Sequence, residues 1–308
     1  MAAVAPNFST TVRTNIQLGL LRAGFRLGGW IAPDSTARRA GRLFGTPLVP
    51  ARRRAQRATQ AGARRGQLGS GDTALTTYAW GNPGSEPYIL FSHGWSSHGT
   101  RVVAWLPALR RAGFAVVAFD QQGHGLSPGS FAALPDFVRG LQRVGEHFGP
   151  AHAVLGHSLG GAAAMLALEA GLQARLALLV APAADAVSAS DRFAGFVGLS
   201  RKVQQRMLGQ FEAEYRIRFA AMQVHAVAPR LAQPALVLHD LEDREVPWHE
   251  GEAYARHWPD ARLLSTQGLG HRRILDAPDV IDAGLRFLNG DIVGERVVSS
   301  PNLPFGLA

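Results

Sequence analysis

The sequence Ala153-Val-Leu-Gly-His-Ser-Leu-Gly-Gly-Ala162 joins a short apolar run to a glycine-rich turn and then to an Ala/Leu-rich helical pattern. A serine in Gly-x-Ser-x-Gly between a strand and a helix lies at a tight turn that small neighbours permit. Its hydroxyl is then open to substrate and within reach of a base. We therefore predict that Ser158 is a catalytic nucleophile. The alternative is a glycine-rich turn with an incidental serine, so the rest of the chain must decide.

Composition limits the classes of protein to consider. The 308 residues suffice for one large α/β domain or two modest ones. The chain has no cysteine, which excludes disulfides, thiolate metal sites and a cysteine nucleophile. The whole chain has a net charge of +9. Residues 1–65 alone have a larger net positive charge than this, because they contain twelve arginines and a single acid, Asp34. The remainder is nearly neutral, as suits an enzyme for uncharged or weakly charged substrates.

The basic leader, residues 1–65, shows helical periodicity. Apolar residues recur at near-helical spacing from Phe8 to Ile31 beside three arginines, which predicts a cationic amphipathic helix. A second short helix is predicted from Ser35 through Arg42. The Pro- and Arg-rich segment Thr46 to Arg65 is typical of an extended linker or strap.

Three interpretations of the leader remain open. In the first, its helix lies at a membrane surface with arginines at the lipid headgroups. In the second, the leader is a helical arm packed on its own domain or on a partner. In the third, the leader mediates assembly. Specific nucleic-acid binding is not expected, because aromatic residues are not interleaved with the arginines. The segment lacks the features of a signal peptide, and no run reaches the roughly 18 apolar residues of a membrane span. We expect a cytoplasmic protein, with peripheral membrane association if the first interpretation holds.

Strand and helix patterns alternate after Gly71. Strands are predicted at Thr73–Trp80, Tyr88–Phe91, Ala115–Phe119, from Ala153 up to Ser158, Leu176–Val180, Ala235–His239 and Arg262–Ser265. Helices are predicted at Ala104–Ala112, Leu134–Phe148, Gly160–Ala170, Trp248–His257 and Pro278–Leu288, the last capped by Asp276. This alternation predicts an α/β fold with a doubly wound, mostly parallel sheet.

The alternation is interrupted once. Between Ala184 and Arg230 apolar residues follow helical patterns with no intervening strand, which predicts an all-helical insertion. The predicted organisation is a leader and linker at 1–65, a core at 66–183 and 231–290, the insertion at 184–230, and a tail at 291–308.

A serine nucleophile needs a base and an orienting carboxylate at the carboxyl ends of the strands. His271 follows the last strand in the loop Gly268-Leu-Gly-His271, and Asp243 follows the strand before it. The order Ser, Asp, His is one known order of the triad. Asp240 is the rival acid, which we interpret as a turn-capping residue.

Two backbone N–H groups must face the negative charge that develops on the substrate oxygen. We predict that they belong to Leu159, at the helix N-terminus after the nucleophile, and Trp95, after His93-Gly94. His124 and His157 are interpreted as supporting or packing residues. No cofactor is expected, and no metal either, because the histidines lack close pairing with acids.

These motifs resemble those of α/β-hydrolase-fold serine hydrolases of the esterase/lipase group, including monoacylglycerol-lipase-like members. The resemblance covers about residues 73 to 290, and the leader lies outside it. The motifs that carry it are Ser92-His93-Gly94-Trp95, Asp120 with Gly123-His124-Gly125 and Ser127, Gly156 to Gly161, Asp243 with Val246-Pro247, and Gly270-His271. The resemblance implies that the 184–230 insertion is a cap domain.

The resulting hypothesis is a cofactor-free carboxylic-ester hydrolase that forms an acyl-enzyme on Ser158. The insertion is rich in Phe, Leu and Met, so we expect an apolar acyl pocket for a short- to medium-chain ester, with monoacylglycerol or lysophospholipid as the next choices. The same triad serves a thioesterase, an amidase, a carbon–carbon bond hydrolase or a perhydrolase. An alternative from a different class is a non-catalytic ligand-binding homologue of this fold. The oligomeric state is left open.

Overall fold

The computed structural model describes residues 8–297, with side chains from residue 17 onward. Two compact units result. One combines the described residues up to Gly45 with Ala186–Phe219, and the other combines Thr46–Asp185 with the described residues from Ala220 onward.

The elements follow one another in this order. The helices are α1 Phe8–Ile31, α2 Pro33–Gly45, α3 Val49–Arg57, α4 Leu106–Arg111, α5 Leu134–Phe148, α6 Leu159–Glu169, α7 Ala186–Val197, α8 Arg201–Tyr215, α9 Val224–Val227, α10 Trp248–His257, α11 Gly270–Arg273 and α12 Pro278–Leu288. The strands are β1 Arg64–Leu68, β2 Leu75–Trp80, β3 Tyr88–Ser92, β4 Ala115–Phe119, β5 Ala151–His157, β6 Ala174–Val180, β7 Ala235–Asp240 and β8 Ala261–Thr266. Short 3-10 helices occur at Gly71–Thr73, Gly99–Trp105, Phe219–Met222, Ala228–Arg230 and Ile274–Asp276.

The larger unit is built on one mixed sheet. Within residues 8–297 it has eight strands in the order β1-β2-β4-β3-β5-β6-β7-β8. The pairs β1/β2 and β2/β4 are antiparallel, and the strands from β4 to β8 are parallel. The sheet is therefore mostly parallel, as predicted. Its parallel strands all end at one edge, where the loops that follow β3, β5, β7 and β8 meet.

Apolar strands are covered on both faces. β3, β4 and β7 are buried along their whole length, because their apolar runs have hydrophobic residues on both sides. Leu90 and Val117 face one apolar cluster, to which α5, α6 and α10 contribute. Ile89 and Val116 face the other cluster, to which α4 and α12 contribute. The sheet is thus doubly wound, with helices on both sides.

Strongly periodic segments fold as predicted. The helices predicted at Phe8–Ile31, Leu134–Phe148, Trp248–His257 and Pro278–Leu288 have those bounds. The strand predicted at Thr73 begins instead at Leu75, because Gly71–Thr73 forms a 3-10 turn. The helix predicted from Ala104 begins at Leu106, after a 3-10 helix.

Two local predictions are wrong. Thr46 to Arg65 is not an extended linker, because Val49–Arg57 forms α3 with a proline in its first turn, where proline is tolerated. Arg52 in this helix donates to the carbonyls of Gly129 and Ser127 at 2.6 and 2.7 Å, contacts that no local pattern reveals. Asp276 does not cap α12: the N-cap residue is Ala277, and the Asp276 carboxylate pairs with Arg101 at 2.5 Å.

In the residues that the structure describes, the smaller unit consists of four α-helices, α1, α2, α7 and α8. α2 packs on α8, where Asp34 accepts from Arg206 at 3.0 Å. The Phe44 ring lies between the rings of Phe193 and Phe211, with centroids 5.0 and 6.3 Å away. The leader helices α1 and α2 thus fold together with Ala186–Phe219 of the predicted insertion, whereas the sequence placed leader and insertion apart.

The domain boundaries shift accordingly. Residues 46–65 of the leader and 220–230 of the insertion fall in the larger unit. In the tail, Glu295 forms a bridge with Leu263 on β8, and residues 298–308 lie outside the described residues. Over the described range, none of the helices combines the length and apolar character needed to cross a bilayer.

Candidate active site

Ser158 lies alone between β5, which ends at His157, and α6, which begins at Leu159. Its backbone has φ 57° and ψ −124°, a region that costs an L-residue on the order of 1–3 kcal/mol. The Ser158 N–H donates to the Val180 carbonyl at 3.0 Å, and the Ser158 carbonyl accepts from Gly161 at 2.9 Å. The strained turn is thereby pinned to β6 and to its own helix, with the hydroxyl at its tip.

Glycines around the turn have no room for side chains. A Cβ on Gly156 would lie 2.6 Å from Gly161 Cα, and a Cβ on Gly94 would lie 2.9 Å from Ser158 Cβ. A Cβ on Gly160 would overlap the Ser92 carbonyl oxygen. The glycines therefore allow the loop after β3 to approach Ser158 closely.

Replacement of Gly160 by alanine tests this packing. Its Cβ meets backbone that cannot rotate away, so we expect Gly160→Ala to lower the free energy of unfolding by about 2 kcal/mol or more. The matched control is Gly209→Ala in the exposed interior of α8, where a Cβ meets nothing within 4 Å. Alanine should there stabilise the helix by up to about 1 kcal/mol. Urea unfolding of both variants measures the difference, and equal effects would contradict this account.

Ser158, His271 and Asp243 are brought together in a chain of hydrogen bonds. The Ser158 hydroxyl and His271 Nε2 are 2.9 Å apart, and His271 Nδ1 lies 2.7 Å from Asp243 Oδ2. His271 is in the one-turn helix α11 after β8, and Asp243 is in the loop after β7. If Nδ1–H donates to the carboxylate, Nε2 is left to accept the serine proton.

The Asp243 carboxylate is held by several donors. Its Oδ1 accepts from the N–H groups of Glu245 and Val246 at 2.8 and 2.9 Å, while Oδ2 faces His271 and lies 3.4 Å from His239 Nε2. Burial pushes the pKa of Asp243 upward, but the hydrogen bonds from His239, His271 and Val246 outweigh it, and its pKa lies well below the ordinary value. Asp243 is therefore ionised at neutral pH.

Asp240 takes the turn position predicted for it. Its Oδ1 accepts from Glu242 N–H, and its Oδ2 accepts from the Thr266 hydroxyl and the Leu269 N–H at 2.8 and 3.0 Å. Burial raises the pKa of Asp240, but these hydrogen bonds outweigh it and the net pKa is lowered. The carboxylate joins the loops after β7 and β8, and so supports the segment that carries His271.

The N–H groups of Trp95 and Leu159 lie in the loop after β3 and at the start of α6. Within the described part of the chain, neither N–H has an acceptor, whereas that of Ser158 is taken by Val180. Gly94 packs against the Ser158 side chain, which places Trp95 beside the turn. Both N–H groups are therefore unpaired donors beside the turn.

Two buried histidines support this loop. His93 Nε2 accepts from Gln121 N–H at 3.0 Å, and its Nδ1–H donates to the Gly94 carbonyl at 2.7 Å. His124 Nε2 accepts from Ser96 N–H at 3.1 Å. Burial lowers the pKa of each to about 3, so both imidazoles are neutral and can accept these bonds.

His157 supports the loop that carries His271. Its Nε2–H donates to the His271 carbonyl at 3.0 Å, and the two rings are 5.0 Å apart. Burial lowers the pKa of His157 to about 3. His157 therefore packs as a neutral side chain beside the nucleophile, in line with its predicted supporting position.

Asp120 belongs to one of the predicted motifs, but the sequence pattern gave it no role. This buried carboxylate accepts from the N–H groups of Gly99 and Leu126 and from the Tyr78 hydroxyl, at 2.7 to 2.8 Å. It therefore ties together the loops after β3 and β4. The sequence did contain a sign of this role, because an acid directly after an apolar strand and before Gly123 and Gly125 is buried and needs hydrogen-bond donors. Among the described residues, no cluster of three or more His, Asp or Glu is arranged to hold a metal ion.

Residues 85–219 match the model of the family described as serine aminopeptidase, S33. The curated proteins contain no match. The fold is similar to that of α/β hydrolase domain-containing protein 10 from mouse, with 20% identity over 74% of this chain and 97% of that one and a TM-score of 0.57.

Two bacterial structures are similar to the same extent. A candidate lipase (lip1) from Acinetobacter baumannii AYE has 19% identity over 79% of this chain and 96% of its own, with a TM-score of 0.59. A candidate hydrolase from Agrobacterium vitis S4 has 21% identity over 74% and 97%, with a TM-score of 0.56. The chain therefore has the α/β-hydrolase fold. Together with the family match, these similarities support a hydrolase of that fold.

Proposed function

We propose that the protein is a serine hydrolase that cleaves carboxylic esters through an acyl-enzyme on Ser158. The observation that carries the proposal is the hydrogen-bond chain from Ser158 Oγ through His271 to Asp243, with separations of 2.9 and 2.7 Å. Ser158 is at the strained turn from strand to helix that exposes a nucleophile. Fold alone does not define activity, so the proposal rests on the site.

The proposed reaction begins with attack of Ser158 Oγ on the ester carbonyl carbon as its proton passes to His271 Nε2. The ionised Asp243 stabilises the imidazolium, and the N–H groups of Trp95 and Leu159 donate to the oxyanion. His271 then returns the proton to the leaving alkoxide as the carbon–oxygen bond breaks. Water, deprotonated by His271, attacks the acyl-enzyme and releases the carboxylic acid and free Ser158.

A short- to medium-chain acyl group is the proposed substrate. Leu159, directly after the nucleophile, is half-buried and packs with Leu134 and Val138 against a small apolar cluster. These half-buried apolar side chains suit an aliphatic chain better than a charged group, since burial of methylene groups is favourable. Monoacylglycerol and lysophospholipid are longer alternatives of the same chemistry.

Amide hydrolysis is a second candidate. The observation that favours it is the match of residues 85–219 to a family described as serine aminopeptidase. Ser158 would attack the amide carbonyl to form the same acyl-enzyme, and His271 would donate its proton to the leaving amine. The two candidates differ in leaving group and not in machinery.

A matched substrate panel separates these candidates. We expect hydrolysis of p-nitrophenyl esters from acetate to palmitate, with the highest kcat/KM at short or medium chain length, because an apolar pocket of limited length gains from each methylene until it is full. Aminoacyl and acyl p-nitroanilides are the paired amide substrates. Faster turnover of the anilides would replace the ester assignment by the amidase. Turnover of neither, in a folded protein that a fluorophosphonate fails to label, would favour a ligand-binding homologue.

A further inference from the structure

From Gln17 onward, where its side chains are described, helix α1 has one packed face and one open face. On the packed face, Phe25 is 3% exposed. Gly28 lies so close to Thr36 in α2 that a Cβ would meet the threonine hydroxyl at 2.8 Å. Arg22 Nε donates to the Phe196 carbonyl of α7 at 2.9 Å. These contacts hold the helix within its own unit.

The opposite face of α1 is apolar and exposed. Leu20, Leu27, Trp30 and Ile31 are 70, 61, 85 and 66% exposed. Leu20 lies seven residues before Leu27, and Trp30 and Ile31 lie three and four residues after Leu27. This spacing places them along one side of the helix, with the exposed small residues Ala23 and Gly24 between them. We call the side chains of Leu20, Leu27, Trp30 and Ile31 the α1 apolar stripe.

The unit that carries the stripe has a strongly positive net charge. Met1–Gly45 and Ala186–Phe219 contain twelve Arg or Lys and four Asp or Glu, a net +8 of the chain's +9. Arg26 is exposed on α1 one turn before Trp30, and Arg38 and Arg39 are exposed on α2. The Arg39 guanidinium also lies 5.8 Å from the centre of the Phe25 ring, which links the basic surface to the packed face.

An apolar stripe on a basic unit matches one kind of partner. An anionic lipid surface offers phosphate groups to arginines and, just below them, acyl chains to Leu and Trp. A nucleic acid would take the arginines but leave the stripe in water. A second copy would bring two units of net +8 together, and their like charge opposes association.

We propose that the α1 apolar stripe binds the surface of anionic phospholipid bilayers. The helix lies in the interface, with Leu20, Leu27 and Ile31 at the acyl boundary and Trp30 at headgroup level. The arginines of the unit contact the lipid phosphates. This binding does not depend on the triad, so it stands or falls apart from the proposed hydrolase activity.

Vesicle binding of the full chain tests the proposal. We expect the wild type to co-sediment with equimolar phosphatidylglycerol/phosphatidylcholine vesicles, more weakly at high salt, and to bind pure phosphatidylcholine much less. Trp30→Glu should lower the partition coefficient by about tenfold or more, since it places a carboxylate at the anionic surface. Because Trp30 is exposed, the variant should fold as the wild type does. Ser85→Glu, an exposed change of equal charge in the other unit, should bind within about twofold of wild type.

Three results would overturn the proposal. The first is equal binding of Trp30→Glu and wild type, and the second is no binding by wild type to the anionic vesicles. The third is a dimer, measured by light scattering at rising protein concentration, that Trp30→Glu dissociates. That third result would identify the occupant of the stripe as another copy of this chain.

Discussion

Ser158→Ala is expected to lower kcat for p-nitrophenyl ester hydrolysis by about 10⁵-fold and to abolish labelling by a fluorophosphonate. The reason is geometric: the Ser158 hydroxyl is hydrogen-bonded to His271 Nε2 at 2.9 Å and occupies the only residue between β5 and α6. Without it no acyl-enzyme forms. The free energy of unfolding should change by less than about 0.5 kcal/mol, because the backbone contacts of the turn do not use the hydroxyl.

The matched control is Ser85→Ala. Ser85 is exposed before β3, at the opposite edge of the sheet from the triad, so its removal should leave labelling and turnover at the wild-type level. Ester turnover retained by Ser158→Ala would refute the nucleophile assignment. Turnover lost together with the folded state would instead be visible as a shifted urea transition, which separates a chemical effect from a structural one.

Much of the larger unit could be predicted from sequence because its information is local. The helix α5 shows an amphipathic period over fifteen residues, and buried strands such as β4 are uninterrupted apolar runs. The positions of Ser158, Asp243 and His271 at strand ends follow from the same pattern, since parallel strands all end at one edge. Local pattern and topology therefore suffice to place these three residues near one another.

What could not be predicted depends on contacts between distant segments. The ion pair of Asp34 with Arg206 spans 172 residues, and no local signal shows that the leader helices fold with Ala186–Phe219. The same holds for Arg52, which anchors α3 to carbonyls 75 and 77 residues away. At the site, the bond from His157 to the His271 carbonyl joins residues 114 positions apart. The chemical groups are visible in the sequence, but their partners are not.

Acid should destabilise this protein steeply, beginning just below neutral pH. His93, His124 and His157 are buried, and burial lowers the pKa of each from 6.5 to about 3. Between these two pKa values the unfolded chain binds protons that the folded state does not. The contribution of these histidines to the free energy of unfolding is therefore fully present above pH 6.5 and is lost as the pH falls below it. Each histidine contributes a slope of about 1.4 kcal/mol per pH unit, so three together give on the order of 4 kcal/mol per unit.

The carboxylates extend the loss to lower pH. The pKa values of Asp240 and Asp243 are lowered in the folded state: burial raises them, but hydrogen bonds outweigh it. A carboxylate with a lowered folded pKa stabilises the fold above its unfolded pKa of 3.8, and that stabilisation is lost as the pH falls below it. Between about pH 6.5 and 4 the histidine contribution is therefore lost before that of Asp240 and Asp243.

Urea unfolding at pH 8, 7, 6 and 5 measures this dependence, with a plateau expected above pH 7 and a steep decline below pH 6.5. His124→Gln should reduce the slope by about 1.4 kcal/mol per pH unit, the contribution of one buried imidazole, because its amide oxygen accepts from Ser96 N–H without titrating. His147→Gln, on the exposed side of α5, is the control and should leave the slope as in wild type. A wild-type stability that stays level from pH 8 to 5 would show that these imidazoles reach solvent and accept protons in the folded state. The conclusion that neutral histidines support the loops on both sides of Ser158 would then be wrong.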